Sequence, residues 1–132
     1  MSVITVPVSA GELIDKITIL EIKSARIADP AKLANIRREL ALLEETWRRA
    51  AESAPDVSDL RTALRDVNEQ LWEVEDRIRA KESEGVFDGE FIELARSVYL
   101  RNDRRASLKR ELNLRVGSEL VEEKSYTGYG EA

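Results

Sequence analysis

Two runs of apolar residues spaced by three and four, joined by one short segment, constrain this chain more than any other feature. The first run is Leu33, Ile36, Leu40, Leu43, Trp47 and Ala50; the second is Leu60, Leu64, Val67, Leu71, Val74 and Ile78. That alternation sets every member on one narrow stripe of an α-helix, the pattern of a coiled-coil seam. A segment as short as 53–59 (SAPDVSD) joins two such helices as antiparallel neighbours. The spacing therefore predicts a long antiparallel, coiled-coil-like hairpin of helices 2 and 3, about 35 Å from end to end.

The remaining signals give two further helices. Ser9 and Glu12 have the spacing of a capping box. Behind them Leu13, Ile17, Leu20 and Ile27 share one face of helix 1, while Ile14, Ile19 and Ile22 fall outside it. A helix apolar on several sides belongs at the centre, with neighbours on more than one face. Asp29-Pro30 stops helix 1 and starts helix 2, since Asp caps and Pro suits the first helical turn. Gly85 ends helix 3, Asp88 caps helix 4 and Gly117 ends it. The expectation is an all-α, four-helix domain over 1–132, with helices at about 10–28, 30–53, 59–84 and 89–116. Short extended segments flank it: VITVPV at 3–8, and an acidic tail at 118–132.

Composition narrows the chemistry. The chain has no cysteine and no histidine. Thiolate nucleophiles, zinc–thiolate sites and histidine-based triads are excluded, so any reaction must use Asp, Glu, Lys, Arg, Tyr or Asn. No metal site and no cofactor is expected. The N-terminus, MSVITVPVSAGEL, has no basic n-region, and no apolar run approaches the ~18 residues of a membrane span. A cytoplasmic location without membrane contact is the expectation. The net charge of −5 argues against nucleic acid as the main partner. That charge is uneven: Arg96, Arg101, Arg104, Arg105, Lys109 and Arg110 face only Asp103 within 96–110, so that stretch is +5 and the rest is −10.

Helix 4 carries the candidate site. Its inward face starts with Phe91, Ala95, Val98 and Tyr99 and continues at helical spacing through Asn102, Ala106, Lys109 and Asn113. Polar residues on a buried stripe are costly unless hydrogen-bonded. One reading is a polar pocket in which Lys109 binds an anion, Asn102 and Asn113 orient it, Arg101 and Arg105 add charge, and Glu21 of helix 1 stands opposite. The other makes Leu108, Leu112 and Val116 the core face and leaves the polar stripe in solvent. The basic cluster is a solvated face paired with acidic helices, a site for a phosphate, sulfate or carboxylate, or a nucleic-acid surface lacking any accompanying motif. Glu21 is either an acid–base group with a raised pKa or a partner for a helix-4 cation. Asp15 and Lys16 point to the polar side and are expected in solvent. Leu42 and Trp72 lie off the hairpin seam. Either they pack on helices 1 and 4, or, with Ile19 and Ile22, they form the contact of a homo-oligomer.

Three stretches carry a resemblance: GELIDKITILEIK at 11–23 with RI at 26–27 and KLANI at 32–36; FDGEFIELARSVYLRNDRRASLKRELN at 87–113; and GSELVEEKSY at 117–126. Together they resemble a bacterial family of small helical proteins known only as a domain of unknown function. The resemblance supplies no catalytic residues and directs attention to helix 1, helix 4 and the tail. It implies an anionic small molecule or a protein partner linked to cell-surface polysaccharide biosynthesis, because related segments accompany tetratricopeptide-repeat and glycosyltransferase-like proteins. A second stretch, LRTALRDVNEQLWEVEDRIRAKE at 60–82, is similar to the first helix of the all-helical chorismate mutases. Those enzymes hold a dianion with Arg and Lys from several helices. Here Arg61, Arg65 and Arg79 flank the seam, and the helix order differs. The first expectation is thus a non-enzymatic binding or assembly module with an anion-friendly face on helix 4, and the alternative a small-molecule enzyme of that helical type.

Overall fold

The computed structural model describes residues 2–125 and 128, and its helices are α1 (Ala10–Arg26), α2 (Pro30–Ala51), α3 (Ser58–Glu84) and α4 (Gly89–Val116). The fold is all-α, and no strand forms among the described residues. The caps explain the boundaries. The Ser9 hydroxyl accepts the Glu12 amide at 3.1 Å, and the Asp29 and Asp88 carboxylates accept the Lys32 and Phe91 amides at 3.0 Å each. Gly85 and Gly117 close α3 and α4 at φ 69° and 70°. The next residue then turns its amide back, Val86 to the Lys81 carbonyl and Ser118 to that of Asn113, both at 2.9 Å.

α1 is the central element. It packs against all three other helices and buries Gly11, Leu13, Ile14, Asp15, Ile17, Thr18, Leu20 and Ile22. The core joins Ile14 to Leu60, Leu64 and Val67 of α3 and to Leu108 and Leu112 of α4. α3 and α4 make the long antiparallel pair, about 40 Å in length. One end is tied by Arg115–Asp59 at 2.5 Å, the other by Arg77–Glu90 at 2.5 Å and Lys81–Asp88 at 3.1 Å.

The seam expected between helices 2 and 3 is thus distributed differently. α2 lies along α1, and no Cα of α2 comes within 8 Å of one in α3. The two meet only through side chains: Trp47 packs on the core cluster, and Glu44 accepts from Arg61 at 2.6 Å. The physical reason lies in α1, whose several apolar faces cover the α2 stripe, while the α3 stripe is taken up by α1 and α4.

Gly11 sets how closely α1 approaches α4. A Cβ at that position would stand 2.6 Å from the Lys109 carbonyl oxygen and 2.9 Å from Asn113 Oδ1. The Gly11 amide, in the first turn and so without an intrahelical acceptor, donates to that same Oδ1 at 2.6 Å. At the termini, residues 3–8 are exposed, and the tail residues 118–125 form neither helix nor strand. Positions 126, 127 and 129–132 of the expected extended tail lie outside the described residues. No helix among the described residues is long and apolar enough to cross a membrane.

Candidate functional site

The contact of α1 with α4 is a layer of charge. At its centre is Asp15, 1% exposed. Its carboxylate accepts from both Nε (2.9 Å) and Nη2 of Arg105, and from Asn68 Nδ2 of α3 at 2.9 Å. Asn68 also donates to Thr18 Oγ1 at 3.0 Å, and Thr18 donates to the Asp15 carbonyl at 2.8 Å. The expectation that Asp15 lies in solvent is corrected: α4 covers that side of α1. Gly11, Asp15, Thr18 and Ile22 form a second stripe spaced four, three and four, and all four are buried. That small and polar stripe is the signal by which Asp15 and its partners can be found in the sequence.

Next to Asp15, Lys109 is also buried. Its ammonium donates to Glu12 at 2.7 Å and to Glu122 of the tail at 3.1 Å, with Asp15 at 3.9 Å. Burial works to lower the Lys109 pKa, but the bonds to Glu12 and Glu122 outweigh it and the net shift is upward. Asp15 holds the Arg105 pKa up in the same sense. Both are therefore fixed cations and not proton carriers at neutral pH.

The other sequence-derived candidates separate. Asn113 is 2% exposed and serves the Gly11 amide, whereas Asn102 is exposed. Leu108 and Leu112 are core residues, so apolar and polar stripes of α4 are buried side by side. Glu21 does not face Lys109. It lies six residues beyond Asp15, about 9 Å along α1, and accepts from Arg61 at 3.2 Å and Arg65 at 3.0 Å, both of α3. Of the apolar candidates, Ile22 is 2% exposed and belongs to the core, Ile19 and Trp72 are half-buried, and Leu42 is exposed.

Arg101 stands apart from all of these. It is half-buried one turn before Arg105, on the stripe Leu94, Val98, Arg101, Arg105, Leu108 and Leu112 that spans the core side of α4. Its Nε is buried and has no hydrogen-bond partner, the one side-chain polar atom in that state among the described residues.

The chain matches the family model described as Family of unknown function (DUF6165) over residues 4–130. It belongs to that family. No curated protein and no solved structure matches it. The sequence resemblance to a family of unknown function is thereby met.

This DUF6165 chain also has a groove of about 340 Å³ where the tail crosses α4, between Ser107, Lys109, Arg110 and Asn113 on one side and Glu122 and Glu123 on the other. Among the described residues no group of three or more acidic side chains is placed to hold a metal ion. Within the charged layer every cation is paired: Arg105 with Asp15, and Lys109 with Glu12 and Glu122, so the three carboxylates outnumber the two cations. Beside that layer stands the buried, unpartnered Nε of Arg101.

Proposed function

We propose that this chain is a non-enzymatic helical binding module that holds an anionic group, a phosphate, sulfate or carboxylate, at Arg101. The observation that carries the proposal is the buried Arg101 Nε without a partner. Burying a donor unpaired costs about 1–3 kcal/mol. A ligand oxygen at that atom offsets the cost only when the ligand is bound. Guanidinium is the donor whose planar fork matches carboxylate and phosphate oxygens. Arg104, exposed beside it, adds to the local positive field. The enzymatic alternative has less support, because two of its three cations are already committed: Arg61 to Glu21 and Glu44, Arg65 to Glu21.

Thermal melts of wild type and Arg101→Met, with and without inorganic phosphate or sulfate, test this. Wild type should gain stability with the anion and the variant should not. The variant without anion should be at least as stable as wild type, since methionine keeps the apolar stem and removes the orphaned donor. Equal stabilisation of both proteins by the anion would remove Arg101 from the site.

A further inference from the structure

The tail repeats on α4 a pattern that a partner could use. Two consecutive carboxylates meet two consecutive cations: Glu122 takes Lys109 at 3.1 Å, and Glu123 takes Arg110 at 2.9 Å. The cations are neighbours on a helix and the acids neighbours on an irregular segment, so the register of one fixes the register of the other. The chain reaches this position by a sharp turn. Gly117 at φ 70° reverses direction after α4, and the Ser118 hydroxyl donates to the Leu120 carbonyl at 2.8 Å. The groove between tail and helix is lined by Ala106, Ser107 and Asn113 together with the charged side chains of Lys109, Arg110, Glu122 and Glu123. Lys109 is also bonded to Glu12 at 2.7 Å, so its ammonium keeps an ion-pair partner when Glu122 is replaced. Arg110 and Glu123 are both substantially exposed, and Glu122 is about half so. The tail therefore rests on the notch from outside and is not built into the core.

We infer that the Lys109–Arg110 notch is a docking site for an acidic peptide segment bearing two adjacent carboxylates, and that residues 118–125 fill it in cis until such a segment replaces them. The notch is eight residues from Arg101, about 12 Å along α4, and stands independently of the anion site proposed there. A tethered occupant acts at an effective concentration in the millimolar range. A free peptide must overcome that, so the wild-type chain should bind only weakly in trans, and loss of the tail carboxylates should uncover the site.

The probe is a labelled synthetic peptide of residues 118–125 (SELVEEKS), titrated by fluorescence anisotropy against the full-length chain. The double variant Glu122→Gln/Glu123→Gln should bind it at least about tenfold more tightly than wild type. Adding Arg110→Gln, an exposed change, should reverse that gain without touching the core. A peptide with the residues corresponding to Glu122 and Glu123 replaced by glutamine should not bind. Equal affinity of wild type and the double variant would overturn the inference, as would binding unaffected by Arg110→Gln. Displacement of the peptide by equimolar inorganic phosphate would also overturn it, because the notch would then read charge alone.

Discussion

α1 and α2 follow one another in the chain and each carries an apolar stripe, yet they end in opposite situations. α1, 17 residues long, buries eight of them; α2, 22 residues long, buries none below the surface. The difference does not lie in the main stripe, which both possess. It lies in the second face. On α1 that face is Gly11, Asp15, Thr18 and Ile22, narrow enough at Gly11 for α4 to come into backbone contact and polar enough at Asp15 to hold α4 by Arg105. On α2 the other faces are exposed residues such as Arg37, Arg38, Arg48 and Arg49, and only α1 lies against its backbone. A helix becomes central when its second face offers another helix something specific.

The largest effect should come from breaking that asymmetry in the core. Ile17 is completely buried, so Ile17→Ala should cost about 3–4 kcal/mol in denaturant melts. Leu40, half-buried on the α2 stripe, should cost only about 1–2 kcal/mol on the same change. Equal losses would mean that α2 is covered in solution by something beyond α1.

An intermediate effect concerns charge, which holds the second face of α1 and is peripheral to α2. Glu122 has its pKa lowered by the bond to Lys109, with Lys124 adding to it. Its contribution is present above the unfolded carboxyl value of about 4.3 and is lost as pH falls through the lower folded value. Lys109 has its pKa raised, so its contribution is complete below about 10.4 and is lost as pH rises through the higher folded value. The clasp of the tail on α4 should accordingly span the range between. NMR shifts of the 118–125 amides should move to unstructured values in acid before those of α2 change. On α2, Arg48, with Arg49, already holds Glu45 down at about 2, within the helix itself. Simultaneous titration of tail and α2 would show that the clasp is not a separate element.

Much of the fold could be read in the sequence because its signals are local. Ser9, Asp29 and Asp88 fix where helices start, Gly85 and Gly117 where two of them stop, and each acts within a few residues. Partner choice is not local. The stripe of α3 says that a partner exists, but α4 offers Leu94, Leu108 and Leu112 to it, and α1 has already covered α2. For the candidate site the same limit applies. Lys109 and Asn113 stood out as polar residues on a buried stripe, and they are buried. Their partners Glu12, Glu122 and Gly11 come from helix 1 and the tail, whose approach depends on the packing of three helices. Arg101 was visible only as one of several cations, since a missing partner has no mark in the sequence.

The smallest expected effect tests the outer face of α2 directly. Leu42 is 48% exposed and lies off the stripe that packs on α1. Replacing a side chain that keeps about half its surface in water removes little buried area, so Leu42→Gln should shift stability by no more than about 0.5 kcal/mol. The same variant and wild type should then give the same sedimentation behaviour if α2 faces solvent. A loss well beyond that value, growing with protein concentration, has a different cause. It requires that the exposed half of Leu42 be covered in the folded state, and growth with protein concentration assigns the covering surface to a second copy. The near-neutral result would make α2 a helix with one neighbour, and the concentration-dependent loss would give it the second face that it lacks in the isolated chain.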